Sequence, residues 1–239
     1  MDPQSAVEKN GNVVPVLDQK MHRRNFLKFS GITASAAALV IVGCDKNDKD
    51  SNDGVNLGSG DTGILNYAFA LEQLEAAFYT QVVATPYSGI TAMETAYMAD
   101  IRDHEIAHRE FFRNALGSNK IQDLEVNFTS IDFTKRDSVL ATAKAFEDLG
   151  VAAYNGAGKL FESATYLLLA GKIVSVEARH AALIRDLISN GSFADLTSLA
   201  PLGANNTNGL DAALMPKDVL AIAGTYLKTK VNGNNLPTS

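Results

Sequence analysis

The chain of 239 residues carries a formal net charge of −6, has a single cysteine and no tryptophan, and is 46% hydrophobic. Its length is sufficient for one domain with a substantial core. The acidic balance argues against nucleic acid as a partner. One cysteine excludes both a disulfide framework and a thiolate metal cluster. Any metal ligands are therefore His, Asp and Glu side chains, which suit iron, manganese or zinc.

Residues 1–44 are predicted to be an export signal. Arg23 and Arg24 precede an apolar run that is too short to remain in a membrane as a spanning helix, although a buried core helix is the alternative interpretation. The stretch RRNFLK resembles the twin-arginine signal, and IVGC resembles a bacterial lipobox in which Cys44 would be acylated. The resemblance implies export across the bacterial inner membrane and a lipid anchor in a cell-envelope membrane.

The remainder of the chain divides into a tether and a helical domain. Residues 45–60 are polar, charged and contain glycine, which is typical of a flexible tether. An abundance of Ala and Leu favours helices over sheet. We expect four long helices in residues 61–190. Residues 191–239 should form a polar loop, a short helix from about Pro216 to Lys228, and a disordered tail.

The four helices are predicted from Asp61 as N-cap to the residue before Pro86, and at about 91–116, 135–157 and 163–190. A long irregular connection, about 117–134, joins the second helix to the third. Steps of three and four residues along each helix trace an apolar stripe that is interrupted by a glutamate. A buried carboxylate needs a partner or a metal ion. The four stripe glutamates, which together predict bound cations, are Glu72, Glu105, Glu147 and Glu177.

Two motifs repeat along the chain and describe a two-helix unit that occurs twice. The second and fourth helices carry E-x-x-H, whose two side chains can reach one ion because residues three apart are neighbours on a helix. The first and third helices carry E-x6-Y, with the tyrosine nearly two turns from the glutamate. Such a ligand set is typical of dinuclear carboxylate centres in helical bundles. The pairs are Glu105–His108, Glu177–His180, Glu72–Tyr79 and Glu147–Tyr154.

Four stretches, LNYAFALEQLEAAFY, DHEIAHREFF, AFEDLGVAAYNGAG and VSVEARHAALI, resemble the ferritin-like superfamily. More narrowly, they resemble bacterial ferritin-like-domain proteins related to plant desiccation-associated proteins. The resemblance implies an all-α four-helix bundle with a long crossover between helices 2 and 3. It also implies two metal ions, iron or manganese rather than zinc, bridged by Glu105 and Glu177, with Tyr79 and Tyr154 hydrogen-bonded to the ligands. The implied ligands are Glu72, Glu105, His108, Glu147, Glu177 and His180.

The sequence departs from that family pattern beside the ligands. Bacterioferritin-like sequences often place an Asp before the Glu of each E-x-x-H, where this chain has His104 and Val176. The groups that tune the ligands therefore differ. His104 lies about 100° around the helix from Glu105, which favours a surface or inter-helix histidine over a metal contact. Glu75 is an additional inward carboxylate, and its role as ligand, proton shuttle, hydrogen-bond acceptor or ordinary helix residue is open.

Three functions compete at this point. The leading hypothesis is a dinuclear metalloprotein with oxidase, peroxidase, catalase-like or ferroxidase chemistry in oxidative or desiccation stress. A non-catalytic, stress-protective or metal-sequestering lipoprotein on the same scaffold is the alternative. The string H-E-x-x-H, from His104 to His108, also matches a zinc protease, in which Glu105 would be the base and Glu125 a third ligand.

The expected partners are small molecules: dioxygen, hydrogen peroxide or Fe²⁺. Because the single cysteine excludes a rubredoxin-type centre, electrons must come from an external donor. Contact with a membrane is expected only through the lipid anchor. A homo-oligomer is compatible with the sequence.

Overall fold

The computed structural model describes residues 54–239. The predicted export signal 1–44 with its Cys44, and residues 45–53 of the predicted tether, lie outside this range. The described part of the chain is built mainly from helices, with one small parallel sheet. Its elements are β1 Val55–Asn56, α1 Gly60–Ala84, α2 Ala92–Leu116, α3 Arg136–Gly158, α4 Ala164–Ile188, α5 Pro216–Ala223 and β2 Val231–Asn232. Short 3₁₀ turns occupy Gly117–Asn119, Ser192–Ala194, Thr197–Leu202 and Gly224–Tyr226.

The four long helices form two pairs in sequence order. Helix α1 packs chiefly against α2, and α3 packs chiefly against α4, while α1 and α3 meet in the centre. The irregular connection between α2 and α3 carries the chain from one pair to the other. This arrangement confirms the predicted all-α ferritin-like bundle with a long crossover and a short C-terminal helix. None of the helices in residues 54–239 combines the length and the apolar character that crossing a membrane requires.

Both local sequence and tertiary contacts determine the hydrogen bonds at the starts of the helices. Thr91 caps α2 in a capping box with Glu94, each side chain bonded to the other's backbone N–H. Asp61 was predicted to cap α1, and that prediction is wrong because the N-cap is Ser59. The Asp61 carboxylate instead accepts hydrogen bonds from the backbone N–H groups of Glu162 and Ser163, at 2.8 and 3.0 Å. It thereby connects the start of α1 to the start of α4.

A buried polar side chain of α1 holds the crossover in place. Asn66 donates from Nδ2 to the carbonyl oxygens of Leu57 and Asn119, at 3.1 and 3.0 Å. Its Oδ1 accepts from the N–H of Ile121 at 2.9 Å. Because all three bonds satisfy backbone groups outside the long helices, Asn66 supplies hydrogen bonds that these segments do not make among themselves.

The segment before α1 and the C-terminal tail are folded together. Val55–Asn56 pairs in parallel with Val231–Asn232. Leu57 is fully buried and Leu236 is also buried, and both belong to the main core. The expectations of a tether up to residue 60 and of a disordered tail are therefore wrong for these segments. The apolar side chains on both segments cover α1, which is buried around most of its circumference.

The loop after α4 returns to α3 at a glycine. The N–H of Leu214 donates to the carbonyl oxygen of Ala152 at 2.9 Å, and Asn155 donates from Nδ2 to Ala212 at 2.9 Å. A Cβ atom on Gly156 would lie 1.7 Å from the carbonyl oxygen of Leu214. The glycine that weakens the helix in isolation is thus the residue that permits this close approach.

Candidate metal centre

The four stripe glutamates meet at the centre of the bundle. Glu72 comes from α1, Glu105 from α2, Glu147 from α3 and Glu177 from α4, and each has no exposed surface. Each lies on the inward face because it replaces an apolar residue in the helical repeat. The structure thus brings together all four carboxylates that the sequence singled out.

One half of the centre is arranged around His108. Its Nδ1 atom lies 3.0 Å from Glu177 Oε1, 3.4 Å from Glu72 Oε2 and 3.6 Å from Glu105 Oε2. One atom from each of these four residues lies within 4.8 Å of the others, close enough for all of them to hold a single ion.

The other half is arranged around His180. Its Nδ1 atom lies 2.9 Å from Glu105 Oε1, 3.4 Å from Glu147 Oε2 and 3.8 Å from Glu177 Oε2. These four residues form a second group of the same size. Glu105 and Glu177 belong to both groups, and each turns one oxygen toward each histidine, which is the arrangement of a bridging carboxylate.

Two tyrosines hold the Oε1 atoms of Glu72 and Glu147, the two glutamates that belong to only one group each. Tyr79 donates its hydroxyl to Glu147 Oε1 at 2.5 Å, and Tyr154 donates to Glu72 Oε1. Burial, and then the charge of the adjacent carboxylate, raises the pKa of both phenols well above the ordinary value. The phenols therefore keep their protons and act as donors, which leaves each Oε2 directed at the histidine side.

The inner atoms of the centre lack ordinary partners. None of the short contacts between a histidine Nδ1 and a carboxylate oxygen has the geometry of a hydrogen bond. Buried polar atoms are almost always satisfied, so a convergent set without partners requires an explanation. One cation at each of the two groups would satisfy all of them. The atoms concerned are Glu72 Oε2, both oxygens of Glu105, Glu147 Oε2, both oxygens of Glu177, and Nδ1 of His108 and His180.

The side chains of the centre shift one another's pKa values strongly. Burial raises the pKa of Glu147 to about 7, and burial together with the charge of Glu177 raises the pKa of Glu105 well above its ordinary range. Burial opposes ionisation of Glu177 as well, but its contacts with the two histidines outweigh this and lower its pKa to about 2. Burial lowers the pKa of His180, and contacts with the carboxylates reverse this and raise it to about 12. The pKa of His108 is raised for the same reason. The cluster of carboxylates therefore favours positive charge at both histidines.

Glu75 is buried, with 4% of its surface exposed, but belongs to neither group of possible ligands. A Cβ atom on Gly150 would lie 3.1 Å from Glu75 Oε1 and 3.7 Å from Glu177 Oε2. The absence of a side chain at Gly150 therefore makes room for the Glu75 carboxyl beside the centre. Burial, and then the charges of the four central glutamates, raises the pKa of Glu75 well above its ordinary range. Glu75 therefore holds a proton.

His104 lies at the edge of the centre. It is exposed, yet its Nδ1 atom lies 2.9 Å from Nε2 of His180. Burial, followed by the neighbouring His180 and His108, lowers the pKa of His104. The sequence placed His104 on the surface or between helices but did not identify this partner. Helix periodicity specifies a face and not which residue of another helix meets it.

The zinc-protease interpretation does not fit this geometry. His108 directs its Nδ1 at the carboxylates, whereas His104 contacts His180, and neither group of possible ligands includes His104. Glu125, which that interpretation needed as a third ligand, is 67% exposed and forms an ion pair with Lys228 at 2.6 Å. The two histidines of the H-E-x-x-H string therefore do not face one common metal ion.

Comparison with known families agrees with the geometry. Residues 60–190, more than half of the chain, match the family described as Ferritin-like domain. Comparison with curated proteins gives no match. The matched residues contain all four long helices and every residue of the two groups. The chain belongs to the ferritin-like domain family.

Proposed function

We propose that this protein binds two ions of iron or manganese in a carboxylate-bridged centre and reacts with dioxygen or hydrogen peroxide. The observation that supports it most directly is the convergence of unpartnered, buried nitrogen and oxygen atoms from all four helices. A structural zinc ion uses four ligands and would leave others without a role. The proposed ligands are Glu72, Glu105, His108, Glu147, Glu177 and His180.

The charge of the centre suits two divalent ions. Four carboxylates carry four negative charges, which two divalent cations balance when both histidines are neutral. Glu105 and Glu177 would bridge the ions because each faces both histidines. Glu72 and Glu147 would each complete one side, with the outer oxygen held by a tyrosine.

Two redox-active ions held by these residues would supply one- or two-electron chemistry with dioxygen or peroxide. The chain surrounds them with buried side chains, and one of these is a further carboxyl group. Glu75 lies near Glu177, and its burial favours the protonated form. Reduction of dioxygen or peroxide consumes protons, which such a carboxyl group can deliver.

Access for a small molecule is supported by a cleft of about 370 Å³ between the end of α3 and the start of α4. Its walls include the apolar side chains of Leu167, Ala170 and Val174. The cleft reaches Tyr154, which bonds directly to Glu72. Dioxygen, hydrogen peroxide or Fe²⁺ would have to pass this tyrosine to reach the centre.

We also propose that the protein is exported and anchored through Cys44, on the basis of the signal-like N-terminal sequence alone. Reducing equivalents would then come from an external donor in the cell envelope. A role in oxidative or desiccation stress is consistent with consumption of peroxide or dioxygen.

The test is metal content followed by turnover. The protein is grown with iron and manganese, the metal bound per chain is measured, and consumption of hydrogen peroxide, dioxygen or Fe²⁺ is followed. Glu147→Gln should lower both bound metal and turnover, whereas Glu162→Gln, an exposed glutamate outside the centre, should change neither. Near-zero bound metal would exclude the dinuclear centre. Two bound ions without consumption of any of these substrates would identify a metal-sequestering scaffold instead.

A further inference from the structure

The imidazole of His104 meets that of His180 in one plane. Their ring planes differ by 12° and their centroids are 5.1 Å apart, while His104 Nδ1 and His180 Nε2 are separated by only 2.9 Å. Parallel rings whose nitrogens are closer than their centroids lie side by side and not face to face. The two rings therefore share a single N–H···N hydrogen bond.

Binding of an ion by His180 would fix the direction of that hydrogen bond. The Nδ1 atom of His180 faces the carboxylates, and a histidine nitrogen must be free of its proton to bind a metal. The proton of neutral His180 is then on Nε2, which donates to Nδ1 of His104. His104 in turn carries its own proton on Nε2. One hydrogen bond thus sets the tautomer of both rings.

The other histidine of the centre has no such support. Within residues 54–239, the polar contacts of His108 are all made by Nδ1, and no protein group is hydrogen-bonded to its Nε2. The two-helix repeat places Val176 at the position that corresponds to His104, and a valine side chain cannot accept a hydrogen bond. The two halves of the centre therefore have the same kinds of ligand but different support for their histidines.

We propose that His104 is a positioning residue that makes the two metal sites unequal, with the site of His180 binding its ion more tightly than the site of His108. The inference rests on the proposed two-ion centre. Partners that orient a metal-binding histidine typically contribute about 10–100-fold in metal affinity. Uptake of two ions should therefore occur in two resolved steps, the first at the group Glu105, Glu147, Glu177 and His180.

The exposure of His104 makes this role separable from a role in folding. The ring lies on the outer side of α2, so its replacement leaves no cavity in the core. His104→Leu removes the acceptor at similar size. His104→Asn retains an acceptor, because the Asn side-chain oxygen can take a place close to that of the imidazole Nδ1.

The experiment is a titration of the metal-free, full-length protein with Co²⁺, followed by calorimetry and by the visible absorption of the bound ion. His104→Leu should weaken the tighter step by about 10–100-fold and leave the weaker step unchanged, whereas His104→Asn should restore most of the difference. Asp103→Asn, a neighbouring change at an exposed side chain, is the matched control and should change neither step. The melting temperature of the metal-free protein should be the same in all of them.

Two further variants assign the steps to the sites. Glu72→Gln weakens only the His108 site, and Glu147→Gln weakens only the His180 site, because each glutamate belongs to one group. The step that His104→Leu weakens should therefore be the step that Glu147→Gln weakens, and not the step that Glu72→Gln weakens.

Three results would overturn the inference. Equal weakening of both steps, or a lower melting temperature of metal-free His104→Leu, would mean that His104 supports the fold in general. Unchanged affinities in His104→Leu, with two ions still bound, would overturn the positioning role alone. Failure of the unmutated protein to bind Co²⁺ would overturn the proposed function and this inference with it.

Discussion

Tyr79 on α1 bonds to Glu147 on α3, and Tyr154 on α3 bonds to Glu72 on α1. Each tyrosine lies seven residues after the glutamate of its own helix but bonds to the glutamate of the other helix. The E-x6-Y repeat is thus a reciprocal connection between the two central helices. It holds one oxygen of each carboxylate and leaves the second oxygen for the centre.

Tyr79→Phe is expected to weaken both the fold and the metal site. The change leaves Glu147 Oε1 buried without a donor, which should lower the free energy of unfolding by about 1–3 kcal/mol. It should also weaken the site of Glu147 by about 10-fold or more, since the carboxylate loses the partner that orients it. Chemical denaturation of the metal-free protein and a Co²⁺ titration measure the two effects.

Tyr67→Phe supplies the control for the loss of a buried hydroxyl. Tyr67 is equally buried on the same helix, but its hydroxyl has no partner among the described residues. Its removal breaks no hydrogen bond and should cost little or be stabilising. Equal losses of stability and metal affinity in the two variants would show that the Tyr79–Glu147 bond contributes nothing specific.

Gly156→Ala is expected to be strongly destabilising. The new methyl group would lie 1.7 Å from a backbone oxygen, that of Leu214, which cannot rotate away. Displacing the returning loop should lower the free energy of unfolding by about 3 kcal/mol or more. Thermal unfolding is sufficient to measure the loss.

Gly158→Ala is the matched change two residues along the same helix. Its Cβ atom would meet only Leu167 Cδ1, at 3.6 Å, which is an ordinary contact. The higher helix propensity of alanine should stabilise the protein by up to about 1 kcal/mol. If both glycine substitutions stabilised the protein, the result would contradict the close contact between the loop and α3 at Gly156.

Leu236→Ala tests whether the C-terminal tail is part of the core. Leu236 is 7% exposed and packs in the main cluster, so truncation should lower the free energy of unfolding by about 2–5 kcal/mol. Leu210→Ala makes the same chemical change where the side chain is 60% exposed, and it should stay within about 0.5 kcal/mol of the unmutated protein. If the tail did not fold against the bundle, neither change would lower the free energy of unfolding appreciably.

The helices and the inward glutamates could be predicted from the sequence because helical periodicity reports directly on burial. The stripes place Glu72, Glu105, Glu147 and Glu177 inward, and all four are buried. The periodicity loses accuracy toward the helix ends, where a strict alternation of three and four drifts from 3.6 residues per turn. Ala115, which continues the stripe of Glu105 and His108 toward the end of α2, is accordingly exposed.

The remaining features depend on contacts that no local pattern encodes. The two-residue strands of the described chain are too short to show alternation. Asp61 has the chemistry of an N-cap but bonds to the start of another helix. The contact of His104 with His180 depends on how α2 and α4 are rotated relative to each other. Such relationships require the packed structure.

The protonation of the metal-free centre predicts that metal binding releases protons. At neutral pH both His108 and His180 are protonated, because the surrounding carboxylates raise their pKa values, that of His180 to about 12. Each Nδ1 must lose its proton before it binds an ion. Loading two Co²⁺ ions should therefore release about two protons or more per protein, and a weakly buffered titration with a pH indicator counts them.

The sign of the pH dependence follows from the same competition. A raised histidine pKa means that protons are held more tightly than in an ordinary imidazole, so metal affinity should rise as the pH rises from about 6 to about 8. Glu147, with a pKa of about 7, loses its proton in this range and steepens the rise, whereas Glu177, with a pKa of about 2, is already ionised and adds nothing. His108→Gln should reduce the release by about one proton. If loading of two ions were independent of pH and released no protons, either the two histidines would be neutral before loading, contrary to their raised pKa values, or they would not be ligands.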